Sequence, residues 1–88
     1  MMLFEFNNLD YEEKYDFIWK SKDCCFNCYR VDRDLNYVLF DCGTFYAESC
    51  VQAGKTIKIE GFELNDDRVN LYIDYVNKHK DDLDLQLP

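Results

Sequence analysis

From Asp23 to Phe62 the apolar residues recur with a period of two, and no break in that stretch is longer than four residues. Four runs stand out: Cys24–Val31, Leu35–Asp41, Thr44–Val51 and Thr56–Phe62. The breaks between them are Asp32-Arg33-Asp34, Cys42-Gly43 and Gln52-Ala53-Gly54-Lys55, all short enough for hairpins. Parallel neighbours need crossovers of about a dozen residues or more. Length alone therefore restricts this stretch to an antiparallel meander. Tyr37 and Leu39 oppose Val38 and Phe40, and Phe45 and Ala47 oppose Tyr46 and Cys50, so apolar side chains emerge from both faces and each face needs cover. The last run alternates most cleanly, with Ile57 and Ile59 on one side and Lys58 and Glu60 on the other.

Two helical segments flank the meander and can supply that cover. Asp10 with Glu13 three positions later is a helix-start signature. Tyr11, Tyr15, Ile18 and Trp19 then fall at helical spacing over residues 10–20, with Lys20 and Lys22 suiting the dipole at the far end. Asn65-Asp66-Asp67 offers caps for a second helix over 66–79, with Val69, Tyr72, Ile73 and Val76 as its stripe and Leu71 and Tyr75 widening it. Met2 to Phe6 alternates in part and reads as a short N-terminal edge strand. The expected fold is α+β: a four-stranded antiparallel meander flanked by an N-terminal and a C-terminal helix. Residues 1–80 form one domain, and Asp81 to Pro88 is expected to be a frayed acidic tail.

With 88 residues the chain has room for one modest core. At 48% hydrophobic and 17% aromatic it is too apolar for a disordered chain. No basic leader or sustained apolar stretch marks an export signal or a membrane span, which points to the cytoplasm and to reduced cysteines. A net charge of −8 repels phosphates and anionic lipid, so neither direct nucleic-acid binding nor a membrane role is expected. A basic protein partner suits it better.

Cysteines 24, 25, 28, 42 and 50 invite a metal or redox reading, because Cys25-Phe26-Asn27-Cys28 is a formal C-x-x-C. A structural zinc site would draw on Cys25, Cys28, Cys42 and Cys50. In an extended strand, however, positions 25 and 28 point to opposite faces, and Cys24 and Cys28 lie about 13 Å apart. His79, expected on the last helical turn, is a poor fourth ligand. A thioredoxin-like motif sits at a helix N-terminus, whereas this one enters a strand. Free cysteine otherwise packs as a small hydrophobe. With residues 32–34 as the turn, Cys24 falls opposite Cys42 as a cross-strand thiol pair.

Catalytic groups are sparse: one His, Ser21 and Ser49, with no glycine-rich phosphate loop and no nucleophile elbow. An enzyme is not expected, nor a cofactor. Asp66-Asp67 reads as a capping pair, and Glu48 as the one acid intruding on an apolar face, beside Tyr46 and Cys50. Seven Phe, seven Tyr and one Trp are too many rings for a small domain to bury completely. Tyr11, Tyr15, Tyr29 and Tyr75 are the interface candidates, while Trp19 is expected to pack on the sheet. A homodimer would draw on the same surface.

The run Asn8-Leu9-Asp10-Tyr11-Glu12-Glu13-Lys14-Tyr15-Asp16-Phe17-Ile18-Trp19 resembles the opening of short uncharacterised proteins of bacterial mobile elements and phage, in which an EEKYDF-W helix precedes short strands. The resemblance implies an origin. The functional expectation is a small acidic, non-catalytic protein-binding module, an inhibitor of a host protein, with a structural zinc protein as the alternative.

Overall fold

The computed structural model describes residues 1–79; the expected tail at 81–88 lies outside them. Seven elements follow one another: α1 (Leu3–Asn7), α2 (Tyr11–Lys20), β1 (Cys25–Asp32), β2 (Leu35–Asp41), β3 (Phe45–Gln52), β4 (Lys55–Glu63) and α3 (Arg68–Lys78). The strands pair antiparallel in chain order, β1-β2-β3-β4, which is the meander that the short breaks require. In the last hairpin Ala53 and Gly54 both take positive φ, 51° and 78°, a pairing that favours two-residue hairpins because its twist matches that of the strands.

Pleating sorts the apolar side chains into two cores on opposite faces. Phe40, Cys42, Phe45, Ala47 and Ile59 point to one face, where Phe6 and Ile18 from α1 and α2 cover them. Leu39 and Phe62 point to the other and meet Tyr72 of α3, with Cys28, Tyr37, Tyr46 and Val69 around them. The result is helix, sheet, helix in three layers. Ile57 departs from the expected alternation and is exposed, because the register shifts from Cys50↔Lys58 to Val51↔Thr56 and leaves Ile57 as the extra residue of a bulge.

Asp10 caps α2 as its sequence implies: its Oδ1 accepts from the Glu13 amide at 2.9 Å, and the Asp10 amide donates back to Glu13 Oε1 at 3.2 Å. At the start of α3, Asp66 Oδ1 accepts from the Arg68 amide at 2.9 Å, while Asp67 makes no capping bond with its side chain.

The N-terminal segment is a helix, not the expected edge strand. Leu3 and Phe6 are three positions apart, so one helical turn sends both against the sheet and leaves Phe4 in solvent. Phe6 is fully buried, with ring centroids 5.7 Å from Phe17 and 5.3 Å from Phe45. Asn7 then closes the outer edge of β4. Its amide nitrogen donates to Gly61 O at 3.2 Å, and its Oδ1 accepts from the Gly61 amide at 3.0 Å, as a neighbouring strand would. Tyr11 Oη donates to Thr56 O at 3.0 Å further along the same strand.

This approach needs glycine at 61. A Cβ there would stand 2.8 Å from Leu3 Cδ1 and 2.9 Å from Phe6 Cδ2. Gly61→Ala is expected to displace α1 and lower stability by about 1–3 kcal/mol. Urea unfolding of the two proteins measures the difference; equal midpoints would show that α1 contributes nothing at this seam.

Candidate functional site

Along α2 the side chains at 11, 15 and 19 form one row because they are spaced by four residues. Ring centroids of Tyr11 and Tyr15 are 6.3 Å apart, those of Tyr15 and Trp19 6.1 Å, and Trp19 meets Phe40 edge-on at 5.1 Å. The row is nevertheless open to solvent: Tyr11 is 46% exposed, Tyr15 39% and Trp19 53%. Phe26, opposite Phe40 in the β1–β2 ladder, extends the apolar surface at 62% exposure. A groove of about 530 Å³ runs beside the row, between Tyr11, Glu12, Tyr15 and Asp16 of α2 and Gly54, Lys55 and Thr56 of the last hairpin.

Trp19 was expected on the sheet, and its exposure has an identifiable cause. Phe6 occupies the space beneath α2, so the helix turns Phe17 and Ile18 inward and carries the Tyr11–Tyr15–Trp19 row outward. The four tyrosine candidates are not all on one surface. Tyr11 and Tyr15 belong to the α2 row. Tyr29 is exposed but sits at the α3 side, with its ring 6.0 Å from that of Tyr75. Tyr75, expected in solvent, is largely covered, held between Tyr29 and the ring of His79 at 4.2 Å. On α3, Leu71 and Ile73 were counted in or beside the buried stripe, yet both are exposed, since only Tyr72 points squarely at the sheet.

The α3 face of the sheet carries charge where an apolar layer would be simpler. Glu48 on β3 is buried, as its alternation with Tyr46 and Cys50 implies. Its Oε2 accepts from Tyr72 Oη at 2.6 Å, and a guanidinium nitrogen of Arg30 stands 3.8 Å away. Arg30 also lies over the rings of Tyr37 at 3.9 Å and Tyr72 at 5.2 Å. Across β3–β4, Glu48 faces Glu60, a like-charged pair that would be unfavourable alone. Glu60 has its own cations, Lys58 at 2.9 Å and Arg68 at 2.6 Å, which hold its carboxyl below the usual carboxylate range. Burial, then the Glu48 carboxylate, push the Tyr72 hydroxyl well above its ordinary range. Arg30 Nε is buried on this face with no hydrogen-bond partner, as is Ser49 Oγ on the opposite face of β3, beside Ile59. The Glu48–Tyr72 bond and the Glu60–Arg68 pair tether α3 to the sheet.

The bulge between Phe26 and Cys28 puts Cys25 and Cys28 on the same face of the sheet, not the opposite faces expected of an unbroken strand, yet the five cysteines do not converge on one point. Cys42 lies in the core under α1 and α2, Cys28 packs in the core under α3, Cys50 is buried, and Cys25 is exposed at the start of β1. Among the described residues no group of three or more His, Cys, Asp or Glu side chains is placed to share an ion. Cys24 and Cys42 do meet, with sulfurs 2.9 Å apart, but not for the expected reason. The turn is Arg33–Asp34, with Asp32 paired to Leu35, and the bulge between Phe26 and Cys28 shifts the register by the one residue that brings Cys24 to Cys42. No helix among the described residues is long and apolar enough to cross a membrane.

No family model, curated protein or solved structure matches this chain. Tyr11 and Tyr15 were among the expected interface candidates and are exposed; Trp19 and Phe26, which continue the row, and Arg30 were not among them. The spacing of four from Tyr15 to Trp19 was the available signal.

Tyr72→Phe removes the hydroxyl from Glu48 and leaves a buried carboxylate one donor short, at an expected cost of about 1–3 kcal/mol. The pH dependence has a definite sign. Folding raises the Tyr72 pKa above its unfolded value near ~10, so this contribution is complete below that pH and is lost as the solution becomes more alkaline. Denaturant titrations at neutral pH and above pH ~10 should show the variant less stable at neutrality, with a flatter alkaline decline.

Proposed function

We propose that this chain is a small, acidic, non-catalytic protein-binding module, acting in the cytoplasm as a phage or mobile-element inhibitor of a host protein. The observation that carries this reading is the row of Tyr11, Tyr15 and Trp19, left in solvent along one helix although each ring touches the next. Aromatic side chains that are aligned, preordered by neighbours and only half covered are the usual anchors of protein interfaces. Glu12 and Asp16 flank the row, and the whole chain carries −8, so a partner with a basic surface is favoured electrostatically. The same charge disfavours a nucleic-acid backbone or an anionic bilayer.

The mechanism is occupation of a partner's surface. Tyr15 and Trp19 would seat in apolar recesses of the partner, while Glu12 and Asp16 pair with basic groups at the rim and speed encounter. No cofactor enters this reading. The phage or mobile-element assignment rests on the resemblance of residues 8–19.

The test is affinity capture from host extract with the wild-type chain and with Tyr15→Ala and Trp19→Ala, each checked for an intact fold by circular dichroism. A specific partner should be retained by the wild type at low salt, and Trp19→Ala should weaken its binding by about 2 kcal/mol or more, roughly thirtyfold. A partner held equally by all three proteins would place the interface elsewhere. No specific partner at all would remove the basis for a binding role.

A further inference from the structure

Cys24 and Cys42 occupy a position that the functional reading above leaves unexplained. The β1–β2 ladder ends at Cys25↔Asp41, and these two cysteines stand one step beyond it. Their sulfurs are 2.9 Å apart, closer than two thiols ordinarily pack. Directly opposed residues of antiparallel strands have Cα atoms about 4.5–5.5 Å apart, inside the range of about 4.4–6.8 Å that a disulfide spans. Continued one step past Cys25↔Asp41, that register would bring the two Cα atoms into this range, in keeping with the close approach of the sulfurs. The two thiols differ in access: Cys42 is 6% exposed in the core, whereas Cys24 is partly open to solvent at the end of the α2–β1 connection. The remaining cysteines have no such neighbour: Cys28 packs under α3, Cys50 lies buried on the same side of the sheet, and Cys25 faces solvent.

We propose that Cys24 and Cys42 are a reversible oxidation site, which closes into a cross-strand disulfide when the chain meets a low-molecular-weight disulfide such as oxidised glutathione. The accessible Cys24 reacts first. Its thiolate attacks one sulfur of the oxidant, the oxidant's S–S bond breaks, and one glutathione leaves and takes up a proton. Cys42 then loses its proton and attacks the Cys24 sulfur. The Cys24–Cys42 bond forms and the second glutathione leaves as a thiol. Two protein thiols are oxidised, one glutathione disulfide is reduced to two thiols, and the two thiol protons end on glutathione.

Burial pushes both thiols upward, Cys42 the further, and the two sulfurs share a hydrogen bond in which either can be the donor. The pair is therefore slow at neutral pH and stays reduced until oxidant accumulates, unlike an acidic catalytic thiol. The closed bond joins the start of β1 to the end of β2, beside the Trp19–Phe40 contact, and encloses residues 25–41 in a loop. Constraining a loop of that length in the unfolded chain should raise the thermal midpoint by about 10 °C.

The experiment incubates the full reduced chain with oxidised glutathione across pH 7 to 9, quenches with an alkylating reagent, and maps the products by mass spectrometry. The expected result is loss of two hydrogens in a Cys24–Cys42 linked peptide. Its rate of formation should rise by roughly tenfold per pH unit. The thermal midpoint should increase, and dithiothreitol should reverse the increase. Cys25→Ser should behave as wild type. Cys24→Ala, at the more exposed of the two positions, should neither form the link nor show the shift. Oxidation that stops as a glutathione adduct on Cys25, a link between Cys24 and Cys25, or a midpoint that rises equally in Cys24→Ala would each overturn the proposal.

Discussion

Glu48 is the constraint around which the α3 half of the molecule is arranged. A carboxylate between a sheet and a helix is costly unless its charge is answered and its oxygens are bonded. Here one oxygen takes the Tyr72 hydroxyl at 2.6 Å, and Arg30 approaches from β1 at 3.8 Å. Only one placement of α3 satisfies that demand, because Tyr72 must point at position 48 from directly above. The neighbouring apolar contacts of Leu39, Phe62 and Val69 would tolerate some sliding, as hydrophobic packing is non-directional. The polar contact is not tolerant, and it supplies the register of the helix. Glu60, with Lys58 and Arg68, forms a second, more exposed group of charges beside it.

The opposite face is held differently. Under α1 and α2 the contacts are mostly apolar, with Phe6 at the centre and the Asn7–Gly61 amide pair sealing the edge of β4. That arrangement has a consequence for function. With Phe6 filling the space under α2, the helix can bury Ile18 and most of Phe17 and has no use for its second row of large side chains. Tyr11, Tyr15 and Trp19 remain on the outside as a preordered aromatic surface. The candidate interface is thus a by-product of how the N-terminal turn packs.

Much of this was readable from the chain. The short breaks left no topology except a meander, the Asp10–Glu13 pair marked the start of α2, and alternation along β3 placed Glu48 with Tyr46 and Cys50. Cys24 does meet Cys42 as expected, but through a two-residue turn at Arg33–Asp34 and a compensating bulge between Phe26 and Cys28 rather than a turn over 32–34. The errors have physical causes. Met2 to Phe6 carries both an alternating pattern and an i, i+3 pattern, and a single helical turn is too short for periodicity to separate them. Tyr75 reads as exposed until Tyr29 closes on it from β1, distant in sequence, with His79 stacking from the end of the same helix.

By itself the sequence determined the four strands, the two longer helices, the antiparallel pairing and, away from the bulges in β1 and β4, which side chains share a face of the sheet. Those follow from local periodicity and from the limited reach of short turns. Only the tertiary structure decided which helical row is buried, because α2 offers two rows and the choice depends on what Phe6 fills. It likewise decided that Glu48 is answered by Tyr72 and Arg30, and that Cys28 and Cys42 belong to different cores. Such contacts join residues far apart in the chain, and no local pattern encodes the distance between them.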